Sequence, residues 1–336
     1  MVRPLNIVGE VPVTEKSLVS SLDSSSPSAA EDSTAAYGIG YVEGEYMPVD
    51  EARISIRENG FDSSDCTYDV VGVWDGAFFR LEDHLDRLFR GCEILMLEPP
   101  ADRQEIREMM FEMVRRAGLR NAYVQVIITR GVPSAEKLRD PRQLTPQMYG
   151  YTIPYLWILA PDKLEGGLDL VIAKSVTRIP TSSVDPTVKN YQRGDFVRGQ
   201  FEAYDRGGNF CLLTDGLGLL TEGAGYNLFA LVDGTLYTPS NGCLLGITRR
   251  VALEIAKEMD IPTVVGSVPV EFAERAEEIF VTSTAGGIIA AATLDGRPVG
   301  AGKEGPTTRK IRERYWELHY HPSQIEPVDY NTSAPR

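Results

Sequence analysis

Lys189 stands in DPTVKNYQRGD, between a turn-like Asp185-Pro186 and the start of a helical stretch. An amine at such a boundary can project into a cleft, and a lysine kept from bulk water can form Schiff bases with carbonyl compounds. By itself it reads as a solvated surface cation, and two further segments change that reading. In TEGAGYN (221–227) Glu222 lies beside Gly223 and Gly225, which let the backbone pass close to a planar ligand. A carboxylate there can face a ring nitrogen and keep it protonated; the plainer reading is a turn with an exposed glutamate. Gly246-Ile247-Thr248-Arg249 opens a helix whose free N–H groups suit an anion, although Thr248 serves equally as a helix cap. Ser283-Thr284-Ala285-Gly286-Gly287 ends a strand in hydroxyl-bearing and small residues, a second candidate anion nest. Arg87 lies off the apolar stripe of its helix, either solvated or reaching the same anion as a charged donor.

These residues need elements to hold them. Residues 70–74 and 77–81 flank Asp75-Gly76, a strong hairpin signal. A helix follows from about Glu82 to Leu95, with Leu85, Leu88, Phe89, Cys92 and Leu95 at helical spacing. A second runs from Arg103 to Ala117, with Ile106, Met110, Met113 and Val114 inward. Residues 122–129 read as a central strand, 131–147 as a charged, proline-bearing loop and 148–160 as strand-like. The second half reads as strands at 168–174, 210–214, 226–232, 235–239 and 278–283, with helices at 192–205, 247–259 and 304–318. Asp-Gly hairpins among separate helices favour an α+β or mixed α/β fold over a doubly wound sheet. Residues 17–36 are rich in Ser, Ala and acids and read as a flexible arm. The organisation expected is an arm (1–36), a small domain (37–160), a linker (161–167) and a larger domain (168–325).

Bulk numbers exclude several classes. Lys plus Arg is 34 against 48 Asp plus Glu, a formal charge of −14, which repels a phosphate backbone and makes nucleic acid an unexpected partner. Four scattered cysteines form no CxxC pair, and the three histidines (His84, His319, His321) are too few for a catalytic zinc site, so no metal is expected. His319 and His321 read as surface residues. No apolar run reaches the roughly 20 residues that span a bilayer. The start MVRPLNIVGEVPVTEK lacks a charged segment followed by an apolar stretch, so a secretory signal is not expected and a cytoplasmic location is.

The order of the features is more specific than any one of them: HxxRL at 84–88, a lysine before a helix, EGxGxN at 222–227, GITR at 246–249 and TxGG at 284–287. Over about 40–320 this resembles the fold-type IV pyridoxal-phosphate family. Within it, EARISI, TYDVVGVWDGAFFRLEDHLDRL, VDPTVKN, LTEGAGYN, LLGITR and TSTAGGI are similar to the (R)-selective amine transaminases. The resemblance implies a small N-terminal α+β domain, a larger C-terminal pseudo-barrel domain, pyridoxal 5'-phosphate between them, and a homodimer in which loops of one subunit close the other's site. By motif, Lys189 is the Schiff-base lysine and Glu222 the partner of the ring nitrogen. Arg87, Ile247, Thr248 and Thr284 match phosphate ligands, Ile247 and Thr248 through backbone N–H groups. Tyr226, Asn227 and Ser283 fall in the same cofactor-binding motifs. Ser63, Tyr68, Val70, Tyr123, Arg139, Arg193 and Ala285 match substrate-pocket positions. The implied activity moves an amino group from a primary, (R)-configured amine to a keto acid such as pyruvate by a ping-pong cycle. A D-amino acid or branched-chain amino acid transaminase is the alternative, and a lyase or a non-catalytic cofactor-binding protein stands further off.

Two departures bear on the substrate. Ser63-Ser64-Asp65 stands where the amine transaminases commonly read HSD, and Gln192-Arg193-Gly194-Asp195 where they read QWGD. If Arg193 points inward it can pair with substrate carboxylates; if outward, the pocket is merely roomier. Lys137 and Arg139, in the charged loop, are further candidates for the acceptor carboxylate.

Overall fold

The computed structural model describes residues 37–133 and 140–331. In the first part strands β1 (Ile39–Val42), β2 (Glu45–Pro48), β3 (Cys66–Trp74), β4 (Ala77–Phe79), β5 (Ala122–Thr129) and β6 (Gln147–Pro154) alternate with helices α1 (Asn59–Asp62), α2 (Leu81–Ile94) and α3 (Arg103–Ala117). The second part holds β7 (Leu168–Ile172), α4 (Gly194–Asp205), β8 (Phe210–Thr214), β9 (Leu220–Gly223), β10 (Tyr226–Val232) and β11 (Thr235–Pro239). It continues with α5 (Ile247–Glu258), β12 (Thr263–Gly266), α6 (Val270–Glu274), β13 (Glu278–Ser283), β14 (Gly287–Leu294), β15 (Arg297–Pro298), α7 (Pro306–Leu318) and β16 (Ile325–Pro327).

Local chemistry sets several of these boundaries. Asp75 and Gly76 both take positive φ, 46° and 79°, the backbone a tight hairpin requires, and they join β3 to β4. Helix α3 begins in a reciprocal capping box of Asp102 and Glu105 and ends at Gly118 in the left-handed region. Helix α7 starts at Pro306, since its first turn has no use for the missing N–H. The helix expected from 192 begins at Gly194 because Asn190 Oδ1 takes the N–H of Gln192 at 2.8 Å and holds a turn there.

The first sheet has the order β16-β4-β3-β5-β6-β1-β2 and is antiparallel throughout. Helices α2 and α3 cover one face. Val71, Val73, Val124, Val126 and Ile128 meet Leu81, Leu85, Leu88, Ile106, Met110 and Met113 in one buried cluster, while Phe89 and Leu95 are only partly buried at its edge. The second sheet closes on itself. β10, β13, β14, β7, β8 and β9 form a six-stranded barrel because β9 pairs with both β8 and β10; β11 and β12 extend the sheet beyond β10. Leu168, Leu170, Ile172, Leu212, Leu228, Ala230, Val281 and Ile289 alternate along the barrel strands and make its core. The architecture is the α+β arrangement with a pseudo-barrel that the resemblance implies, and the described residues form one compact unit.

Several expectations need correction. The strand expected over 70–74 begins at Cys66: polar Thr67 and Asp69 are buried inside it, with partners supplied from distant segments. The strand expected to reach 160 stops at Pro154, after which Tyr155 N–H bonds Asn121 O and Ile158 N–H bonds Ala285 O, off the ladder. β14 is fully apolar at Gly287–Ala292 but went unassigned, as did the β1–β2 hairpin. β16 returns the C-terminus to the first sheet, beside β4, rather than closing the barrel half. His321 is exposed, whereas His319 is buried, its ring stacked on Phe79 at 3.7 Å and beside Trp316. Burial pushes the His319 imidazole down to about 3.

Candidate active site

Strand β3 is buried along its whole length, and its two-residue period sorts its side chains. Asp69 and Val71 face the helices; Tyr68 and Val70 face the barrel. Tyr123, on the adjoining β5 in register with Gly72, joins them on that second face. Asp69 bonds Arg87 Nε at 2.7 Å and Nη2 at 2.8 Å, and pairs with His84 Nδ1 at 2.7 Å. Burial alone raises a carboxyl, but Arg87 and His84 outweigh it and hold Asp69 well below the usual carboxylate range. The clamp leaves Arg87 Nη1 reaching 3.4 Å to Leu245 O, at the threshold of α5.

Lys189 is pinned by its own backbone to the first sheet. Its carbonyl accepts from Tyr68 N–H at 2.9 Å and from Thr67 Oγ1 at 3.1 Å, so an irregular segment of the second half is held against β3. Its Nζ lies 4.7 Å from the Tyr68 ring centre. Tyr191 stacks on the same ring, centroids 4.6 Å apart, and its hydroxyl is held by Gln125. Arg193 points inward: its Nη1 donates to Tyr68 OH at 3.2 Å. Burial raises the Tyr68 phenol, yet Lys189 and Arg193 together bring it below its ordinary value.

Glu222 enters from the barrel, on β9 opposite Asn227 of β10. It is 5% exposed. Its Oε2 accepts from Leu244 N–H at 2.9 Å and from Asn227 Nδ2 at 3.5 Å, and its Oε1 from Arg178 Nε at 3.3 Å. Burial pushes its carboxyl up to about 7, against the opposing pull of Arg178, the Leu244 N–H and Lys189.

Helix α5 opens at Ile247 after Gly246, and no side chain caps it, so its first N–H groups are open to a ligand. Thr248 is therefore inside the first turn and not the cap. A side chain at 246 would stand 2.2 Å from Asn227 Oδ1, which is why a glycine occupies the approach. Across from it, Ser283 Oγ donates to Gly225 O at 2.9 Å and accepts from Ala285 N–H at 3.2 Å. Tyr155 OH donates to Thr284 O and accepts from Gly286 N–H, fixing the turn after β13. Thr282 Oγ1 is buried without a hydrogen-bond partner among the described residues.

These groups line one cavity between the first sheet and the barrel: Lys189, Arg87, Glu222, Tyr226, Asn227, Ile247, Thr248, Thr282, Ser283, Thr284, Ala285, Tyr68, Val70, Tyr123 and Arg193. A model of the family described as amino-transferase class IV matches residues 67–294.

The chain belongs to the amino-transferase class IV family.

A putative branched-chain-amino-acid aminotransferase of Methanocaldococcus jannaschii is 30% identical over 281 residues, covering 83% of this chain and 95% of the relative. A D-alanine aminotransferase of Staphylococcus haemolyticus is 26% identical, over 82% of this chain and 95% of its own. Among solved structures, the branched-chain aminotransferase of Thermoproteus uzoniensis with norvaline superposes with a TM-score of 0.79 at 26% identity, covering 87% of this chain and 99% of its own. Against this aminotransferase frame some assigned positions stand apart. Ser63 is exposed and does not line the cavity. Lys137 and Arg139 lie outside the described residues, as does the N-terminal arm. Tyr226 lines the cavity but spends its hydroxyl on Cys211 O at 2.6 Å. Sequence reasoning missed Asp69, Arg178, Asp195, Tyr155 and Thr282. Asp69 had a signal, a carboxylate inside an otherwise apolar strand run, and Asp195 stood in the Gln192-Arg193-Gly194-Asp195 motif without a role of its own; Arg178 and Tyr155 act through contacts between segments far apart in the chain.

Proposed function

We propose that this protein is a pyridoxal 5'-phosphate-dependent aminotransferase that moves an amino group from a primary amine to a keto acid such as pyruvate by a ping-pong cycle. The observation that carries this reading is the convergence on one cavity of an amine (Lys189), a buried carboxylate (Glu222) and a cation beside an uncapped helix start (Arg87, α5). The residues present fit such a cofactor: the open N–H groups of α5, the partnerless Thr282 hydroxyl and the glycine at 246 form a polar cradle with acceptors and donors to spare. When bound, pyridoxal phosphate supplies a carbonyl carbon for the substrate nitrogen and a ring that spreads negative charge. Lys189 Nζ would hold the cofactor covalently until the incoming amine displaces it, and the freed Nζ would take up and return the substrate's Cα proton. Glu222 would meet the ring nitrogen and favour its protonated form. Arg87 and the N–H groups of Ile247 and Thr248 hold the phosphate, with Thr284 beside them. Arg193 takes the carboxylate of the keto acid.

For the donor, the motif resemblance supports an (R)-configured amine. A second reading, a D-amino acid or branched-chain amino acid donor, is favoured by the inward Arg193 cation, which pairs with any α-carboxylate. We also propose a homodimer, as the motif resemblance implies. One experiment tests the activity. The purified protein should be yellow, and Lys189→Ala should lose the long-wavelength band. Bleaching by (R)-1-phenylethylamine supports the amine donor; bleaching by D-alanine or L-leucine alone supports the second reading. No response to any amine donor sinks the aminotransferase proposal.

A further inference from the structure

Behind Glu222 lie two more buried charges. Arg178, in the irregular segment after β7, is 7% exposed, and Asp195, in the first turn of α4, is also 7% exposed. Arg178 Nη1 donates to Asp195 Oδ2 at 2.7 Å while its Nε donates to Glu222 Oε1 at 3.3 Å. We propose, resting on the cofactor reading above, that Arg178, clamped by Asp195, is a positioning residue that keeps Glu222 ionised and aimed at the ring nitrogen of the cofactor.

The clamp is built to be rigid. Asp195 Oδ2 also accepts from Ile179 N–H at 2.9 Å, and its Oδ1 from Phe196 N–H at 2.8 Å, so the carboxylate is held by backbone at both oxygens. The Phe196 ring lies 4.4 Å under the guanidinium and fixes its plane. With Nε and Nη1 both engaged, Arg178 has little freedom to turn, and Glu222 Oε1 is tied to the protein. Its Oε2 is held by Leu244 N–H. Two carboxylates face two guanidiniums here, Arg178 in direct contact and the buried Arg249 at longer range, so an ionised Glu222 is stabilised by the cations around it. Among the cations lining the cavity, Lys189 contributes to holding Glu222 ionised, as Arg178 does. Arg249 and Cys243 are the other ionisable groups that feel Glu222; Arg249 is committed to Pro239 O at 2.7 Å, and burial pushes the Cys243 thiol up to about 12, so it stays neutral. Lys189 and Asp195 belong to one short stretch of chain, 189–195.

The readout is the preference for pyridoxal phosphate over an analogue with carbon in place of the ring nitrogen, measured as a ratio of dissociation constants by equilibrium dialysis. An ionised Glu222 makes a charge-assisted bond to a protonated nitrogen and none to carbon. A neutral Glu222 makes only an ordinary hydrogen bond, so the preference shrinks. Arg178→Gln should therefore lower the wild-type ratio by about tenfold, and Arg178→Lys, which keeps a cation beside Glu222 without the Asp195 clamp geometry, should restore part of it but not all. A purely structural role weakens both ligands equally and leaves the ratio unchanged, which overturns the proposal. Should Arg178→Gln fail to fold, Arg178→Lys decides by the same ratio, which should fall below that of the wild type. A wild-type protein that binds neither ligand refutes the cofactor reading itself, a separate outcome from an unchanged ratio.

Discussion

Glu222→Gln should change stability in opposite directions in the two states of the protein. In the cofactor-free protein the Glu222 carboxyl is raised from 4.5 to about 7, chiefly by burial. The unfolded chain releases that proton near the ordinary value while the folded chain keeps it, so stability falls as pH rises between the two and levels off above about 7. At about 1.4 kcal/mol per pH unit, the interval from 4.5 to about 7 amounts to about 3 kcal/mol. Glutamine has the same shape and no proton to lose, so this penalty vanishes. Its inability to satisfy the Arg178 Nε–H as a carboxylate does adds a cost, but that cost does not vary over this range. The quantity to measure is thus the difference in unfolding free energy, variant minus wild type, from urea melts of cofactor-free protein between about pH 4 and about pH 8. It should rise by about 3 kcal/mol across the range. With pyridoxal phosphate present the variant should instead be the weaker binder. A difference that stays flat with pH would refute the claim that Glu222 is buried with a raised carboxyl.

Three further outcomes follow from the same geometry. Asp69→Asn removes one partner of a buried ion pair and should cost about 3–5 kcal/mol at neutral pH; because the Asp69 carboxyl is depressed, the wild-type advantage should be present above the ordinary aspartate range and disappear as pH falls below it, read by acid titration of unfolding. His319→Phe keeps the stack on Phe79 but removes an imidazole lowered from 6.5 to about 3, so the wild-type loss of stability on acidification through that interval, about 1.4 kcal/mol per pH unit, should flatten in the variant's denaturation curves. Arg193→Met should raise KM for pyruvate by about tenfold to a hundredfold without shifting the absorbance of the lysine-bound cofactor; an unchanged KM would take Arg193 out of substrate binding.

How much of this could be read in the chain depends on how local each cause is. Helical spacing placed α2 and α3, because a helix buries residues three and four apart and the pattern Leu85–Leu88–Cys92 records that directly. The Asp75-Gly76 and Asp233-Gly234 turns were legible because positive φ is demanded at those two positions and few residues tolerate it. The lysine, the EGxGxN segment and the helix start at 246 were legible as motifs, since each is a short run with its own backbone requirement. Their convergence on one cavity was not, because it depends on β9 closing the barrel and on the Lys189 carbonyl docking to β3.

What the tertiary structure alone decided follows the same line. Arg193 could have pointed either way from its position before α4; the Tyr68 hydroxyl on a strand 125 residues earlier sets its direction. Asp69 and Thr67 made β3 look shorter than it is, because a polar side chain is acceptable inside a sheet once a distant arginine or carbonyl meets it. His319 looked like a surface residue until the C-terminal turn of α7 was seen packed on Phe79. Arg178 carries no local mark, and the motif that holds Asp195 does not say which cation it meets. The sequence determined the periodic elements, the turns and the chemical inventory, since those rest on neighbours in the chain. The three-dimensional fold determined which charges share a buried wall, since that rests on residues the chain keeps far apart.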